Sequence, residues 1–133
     1  MKNPIIQWSS AVYQRLANSS ELEELGVKVF TYVPQDTKYP YIYLGEMIIS
    51  DYSTKTTKGF NLINYISIYA EERGNKQAII LSHIVKELLE SPELILKYYT
   101  LVSIRLLNCH ISTLQERNIC QSILKIKSII EEI

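Results

Sequence analysis

Residues 41–70 read YIYLGEMIISDYSTKTTKGFNLINYISIYA, and this run decides the fold. In its second half Leu62, Asn64, Ile66 and Ile68 fall on one side of an extended chain and Ile63, Tyr65, Ser67 and Tyr69 on the other, the period of two that marks a strand. The first half, 41–50, is equally rich in β-branched and aromatic residues, so 41–50 and 62–70 are expected to pair as a hairpin. Between them the chain is polar and Thr-rich, which favours extended backbone but offers almost nothing to bury. If both arms continue to Gly59, each is about 10 residues or more and spans on the order of 30 Å. The expectation is a long protruding β-hairpin, mobile when alone or packed against a partner.

Working outward, Ile5, Trp8, Val12 and Leu16 recur at helical spacing, which predicts a helix over 4–18 with Pro4 in its first turn. Ser20 and Glu23 have the spacing of a capping box, and Gly26 can take the left-handed end position of a short helix over 21–25. A short β-rich run, 27–32, is the first strand. After the hairpin, Ala78, Leu81, Ile84, Val85, Leu88 and Leu89 form one stripe of a helix over 75–90. Lys76, His83, Lys86, Glu87 and Glu90 lie opposite, with Ile79 alone among apolar residues on that charged side. Ser91 and Pro92 end it. Two alternating runs, 99–109 (Val102, Ile104, Leu106) and 119–130 (Leu124, Ile126), close the chain as a second hairpin through 112–118. The order αβββαββ describes an α+β fold, a mostly antiparallel sheet with two main helices on one face. Its 133 residues suit a single domain, 1–133.

Composition narrows function by exclusion. Fourteen Lys plus Arg balance fourteen Asp plus Glu, so no chain-wide positive field exists to hold nucleic acid or an anionic membrane. With 47% apolar and 21% charged residues the chain should fold, and its twenty Ile and ten Tyr against four Ala and four Gly favour sheet. Two cysteines, Cys109 and Cys120, are too few for a secreted disulfide scaffold, so two free thiols in a reducing cytoplasm are expected. There is no apolar run of signal-peptide or membrane-spanning length.

Candidate chemistry is equally sparse. His83 sits on the polar side of its helix, where solvation explains it. Cys109 and His110 are strand neighbours that point to opposite faces and cannot share a metal ion with Cys120. The glycines 26, 45, 59 and 74 stand too far apart for a phosphate-binding loop. Acidic residues (Glu21, Glu23 and Glu24; Glu71 and Glu72; Glu131 and Glu132) fall at element ends, and no Ser, His and Asp set has a nucleophile-elbow context. The expectation is no enzyme, no metal and no cofactor, although a site assembled from scattered residues stays open. A second class also stays open. Tyr41, Tyr43, Tyr65 and Tyr69 could line one sheet face and stack single-stranded bases, which would make the chain a small sheet-based nucleic-acid-binding module. Against it stand the element order, the missing basic-aromatic motif and the zero net charge.

Val29, the run Val33, Pro34 and Gln35, the pairs Pro40–Tyr41 and Leu44–Gly45, the run Ser53, Thr54 and Lys55, Gly59, and the strand end 66–69 ahead of a helix together resemble one family. It is the tail-completion, or tail-terminator, family of long-tailed phages, prophages and gene transfer agents. The resemblance spans the element order of nearly the whole chain, although the closing segment 113–118 lacks the Gly-containing turn common there. It implies a structural virion assembly protein forming a ring, typically a hexamer, on the head-proximal end of a tail tube. Such a ring ends tube polymerisation and serves head-tail joining. Implied partners are further copies of itself, tail-tube protein and head-tail connector, with DNA only in passage and no membrane. The implied location is the bacterial host cytoplasm during assembly and then the particle tail. A cyclic ring needs two different patches per subunit. The candidate interface residues are Tyr52, Thr54, Lys55, Thr56, Thr57, Lys58 and Phe60 on the hairpin and Ile79 on the second main helix. Lys125 and Lys127, on one face of the last strand, either meet acidic groups across an interface or face water.

Overall fold

The computed structural model describes residues 2–71, 75–114 and 118–133. In chain order it contains α1 (Pro4–Ala17), α2 (Ser20–Glu24), β1 (Lys28–Phe30), β2 (Tyr41–Asp51), β3 (Gly59–Glu71), α3 (Lys76–Glu90), β4 (Tyr99–Leu114) and β5 (Ile119–Glu132). The five strands form one sheet in the order β1-β2-β3-β5-β4. Only the β1–β2 pair is parallel, with Val29 opposite Ile42; β2–β3, β3–β5 and β5–β4 are antiparallel. The α+β architecture expected from the sequence is therefore the observed one. Glu72 and Gly74, and the centre of the closing turn, lie outside the described residues.

All the helices pack on one face. On β3 and β5, Leu62, Ile66, Ile68, Leu124, Ile126 and Ile130 turn the same way and meet Trp8, Val12 and Leu16 of α1 and Leu81, Val85 and Leu89 of α3. Each such side chain contributes about 1.5–3 kcal/mol by leaving water. Three polar links fix the helices on this apolar layer. The Trp8 indole N–H donates to Asn64 Oδ1 at 3.3 Å, a buried bond from α1 to β3. The Ser82 and Ser122 hydroxyls, both buried, lie 2.6 Å apart and join α3 to β5. The Arg15 guanidinium donates to the carbonyls of Leu88 and Pro92, each at 2.6 Å, and of Glu93 at 3.4 Å. Leu88 O is one of the carbonyls that the end of α3 leaves unpaired, and Pro92 and Glu93 belong to the segment that follows it.

Four local expectations change. The short helix is capped by Ser19, whose Oγ accepts from Leu22 N at 3.2 Å, so Ser20 is its first residue and Glu23 closes no capping box. Ile5 is 37% exposed and contributes little to the buried stripe of α1. In β4 two bulges, between Leu101 and Ser103 and between Leu106 and Asn108, each insert an extra residue. The simple alternation fails there: Leu101 is buried, Ile104 and Leu106 half-buried, and Val102 is 51% exposed.

The fourth change concerns the first hairpin. Its arms reach Asp51 and Gly59, but β5 runs alongside β3 for its whole length, from Gly59 opposite Glu131 to Glu71 opposite Ile119. The arms are thus supported by their own sheet, and only 52–58 passes beyond it. Alternation does not tell which strand lies beside β3, so the sequence reading leaves the first hairpin without β5 at its side and makes the overhang too long.

Candidate functional site

The hairpin tip is a preformed turn. Tyr52 N donates to Gly59 O at 2.9 Å and Thr54 N to Thr57 O at 2.8 Å. Thr54 Oγ1 accepts from Thr57 N at 3.0 Å, and Ser53 Oγ both donates to Asp51 Oδ1 at 2.6 Å and accepts from Gly59 N at 3.2 Å. Such side-chain-to-backbone bonds are how Ser and Thr build tight turns. The base is clamped to the C-terminal strand by Glu132 N donating to Lys58 O at 2.8 Å. At Gly59 the two backbones leave no room: a Cβ there would stand 2.9 Å from Tyr52 O and 3.2 Å from Ile130 O. A segment with so little apolar surface holds its shape through these bonds, which offsets part of the ordering cost of docking against a partner.

Of the candidate interface residues, Tyr52, Thr54, Lys55, Thr56 and Lys58 are exposed together on this tip, and Thr57 is half-buried. Tyr52 is 54% exposed. Phe60 instead turns to the helix side, packs against the core and meets Tyr99 edge-on with centroids 6.1 Å apart; the Lys58 ammonium lies 5.9 Å from its ring centre. Ile79 is exposed as expected, and so is Ile80 beside it, which the stripe reading missed. The helical patch and the tip are far apart. Ser82, one turn beyond Ile79, sits over Ser122, opposite Ile68, whereas the tip begins at Gly59 opposite Glu131. At ~3.3 Å per residue that places the two patches about 30 Å apart, at opposite ends of the sheet.

The sheet's second face carries no helix. Strand register sets its side chains in rows across β2, β3, β5 and β4: Tyr41, Tyr69, Gln121 and Ser112; Tyr43, Ser67, Ile123 and His110; Ile48, Ile63, Lys127 and Arg105. The four tyrosines expected on one face are on it, at the β2–β3 side. Tyr39, Tyr41 and Tyr69 stack on one another, with centroids 5.4 and 5.0 Å apart, so their ring faces are largely spent among themselves. Burial, reinforced by Tyr39 and Tyr69, pushes the Tyr41 phenol above its ordinary pKa.

The β5–β4 side is basic. Arg105 and Lys127 are direct cross-strand partners, and Lys125, one row on, lies 5.9 Å from the Tyr65 ring centre. Like charges directly opposite destabilise a pair. Among the described residues none of the three has a carboxylate partner; the ion pairs there are Lys2–Glu132, His83–Glu87 and Lys86–Glu90. Sequence reading picked out both lysines but missed Arg105, because the bulge at Val102 sets which face Arg105 takes. Cys109 is exposed and hydrogen-bonds Ser122 Oγ at 3.2 Å, Cys120 is buried, and neither is in a disulfide. No group of three or more metal-ligating side chains occurs among the described residues, and no helix there is long and apolar enough to cross a membrane.

Fold and surface together define an α+β domain with helices on one sheet face, an open second face, free sheet edges and a hydrogen-bonded polar tip. The family described as "Tail completion protein gp17" matches residues 10–131, and the chain belongs to it: it is a structural protein of phage tails. In fold it is similar to a chain in the solved structure "Virion of native gene transfer agent (GTA) particle". The TM-score is 0.85 at 22% identity, over 98% of this chain and 99% of that one. No curated protein matches the sequence.

Proposed function

We propose that the chain acts as one domain, 1–133, that assembles with copies of itself into a ring, six-membered by family resemblance, on the head-proximal end of a tail tube. The ring ends tube polymerisation, offers the surface on which head and tail join, and passes DNA without holding it. Assembly takes place in the bacterial host cytoplasm, and the finished ring resides in the particle tail. The role needs no catalysis, cofactor or membrane. The observation that carries this reading is the family match over 10–131, joined by a fold shared along nearly the whole chain with a component of a gene transfer agent particle. The hydrogen-bonded tip with Tyr52, Thr54, Lys55, Thr56, Thr57 and Lys58, and the distant patch at Ile79, supply two separate contact areas for the tail tube or a neighbouring subunit, beyond the strand edges where copies can join; Phe60 supports the tip from beneath.

Light scattering over a range of protein concentrations, with and without tail-tube protein, tests this. The reading expects a discrete multimer, formed alone or on the tube. A chain that stays monomeric and leaves tube growth unchanged contradicts it. One observation favours nucleic-acid binding instead: Arg105, Lys125 and Lys127, with no carboxylate partner among the described residues, gather beside Tyr65 on the open face. That reading expects labelled oligonucleotide to bind with an affinity that falls steeply with salt.

A further inference from the structure

The sheet has two free edges. β4 is the last strand on one side, 16 residues long, and pairs with β5 alone. On the other side β1 covers only Tyr41, Ile42 and Tyr43 of β2, so that among the described residues the outer edge of 44–51 has no strand partner. Proteins usually blunt such edges with short strands, lysine or proline. β4 has no Lys and no Pro, and it exposes Val102, Leu107 and Leu114.

The two edges suit one another in direction and in charge. Because β2–β3, β3–β5 and β5–β4 are all antiparallel, β4 runs opposite to β2. Rotation about an axis lying roughly along the strands keeps strand direction. β4 of one copy then meets β2 of the next antiparallel, which continues the sheet's own alternation across the joint. Pairing β4 with β4 about a twofold axis would also be antiparallel, but it would bring two unpaired Arg105, Lys125 and Lys127 clusters together. The β2 edge instead carries Glu46, exposed at the bulge between Leu44 and Met47, next to the row that holds Ile48 and Arg105.

We infer that β4 of one copy pairs with the open stretch 44–51 of β2 in the next, with Arg105 set against Glu46, so that the sheet runs on from subunit to subunit. The inference rests on the ring reading above and specifies its joint.

Two experiments on the full chain test it. In a Cys109→Ser background, Ile48→Cys combined with Ser103→Cys, which the Arg105–Glu46 register sets opposite one another, should give, on oxidation, a ladder of covalent multimers that neither single cysteine variant gives. Separately, Arg105→Glu and Glu46→Arg should each raise the concentration needed for assembly by about tenfold, and the double exchange should bring it back towards wild type. Circular dichroism of each variant should match wild type, which separates a lost joint from a lost fold. Multimers by light scattering without a ladder and without a charge effect overturn the joint and leave the ring standing. Covalent dimers from Ser103→Cys alone overturn it in favour of a β4–β4 contact. No species above monomer, with or without tail-tube protein, overturns the ring reading and the joint with it.

Discussion

β3 and β4 are both long strands paired to the same partner, β5, yet they live in different surroundings. β3 is hydrogen-bonded on both sides and buries Leu62, Asn64, Ile66, Ile68 and Ala70 beneath the helices. β4 is hydrogen-bonded on one side, bulges twice, and exposes most of its side chains. The same backbone geometry thus serves two purposes. The centre of the sheet supplies the free energy that folds the domain, and the rim keeps backbone donors and acceptors available for a neighbour.

The largest effect expected from breaking this contrast is at the centre. Leu124→Ala, on β5 between the two strands and fully buried, should cost about 2–5 kcal/mol of stability in denaturant unfolding. Gly59→Ala, where β3 begins, forces the Tyr52 or Ile130 backbone to move and should cost about 1–3 kcal/mol, read as a lowered thermal midpoint. Tyr99 sharpens the contrast at the one deeply buried end of β4. Burial, and next the charge of Glu132, hold its phenol above the ordinary value of 10.0. A raised folded pKa favours the protonated form, so this contribution is complete below the unfolded pKa and is lost as pH rises through the folded one. Unfolding followed above pH 10 should therefore be less pH-dependent in Tyr99→Phe than in wild type. The smallest effect belongs to the rim: Val102→Ser should leave monomer stability within about 0.5 kcal/mol while weakening any multimer. Equal destabilisation by Val102→Ser and Leu124→Ala would erase the distinction between centre and rim.

How much of this was legible in the sequence also follows centre and rim. β3 announces itself because strict alternation from Leu62 to Tyr69 reflects burial on one face only, and α3 because its apolar stripe faces a flat sheet. β4 hides its register, since the bulges at Val102 and Leu107 have no side-chain signature. The length of β5 hides too, because pairing through Glu131 and Glu132 is a backbone matter. The tip residues could be named from composition, but the turn they form is held by Ser53 and Thr54 bonding to nearby backbone, which spacing alone does not show. Arg105 joins Lys125 and Lys127 only once the register is known. Family membership was legible from residues 29–69, whose motifs fall mostly at turns and strand ends.

The most direct test is electron microscopy of tails from a particle-producing element in which the gene for this chain has been deleted. A tail-completing ring predicts tubes of uncontrolled length without attached heads, restored by supplying the chain in trans. Tails of normal length with heads attached would contradict the account.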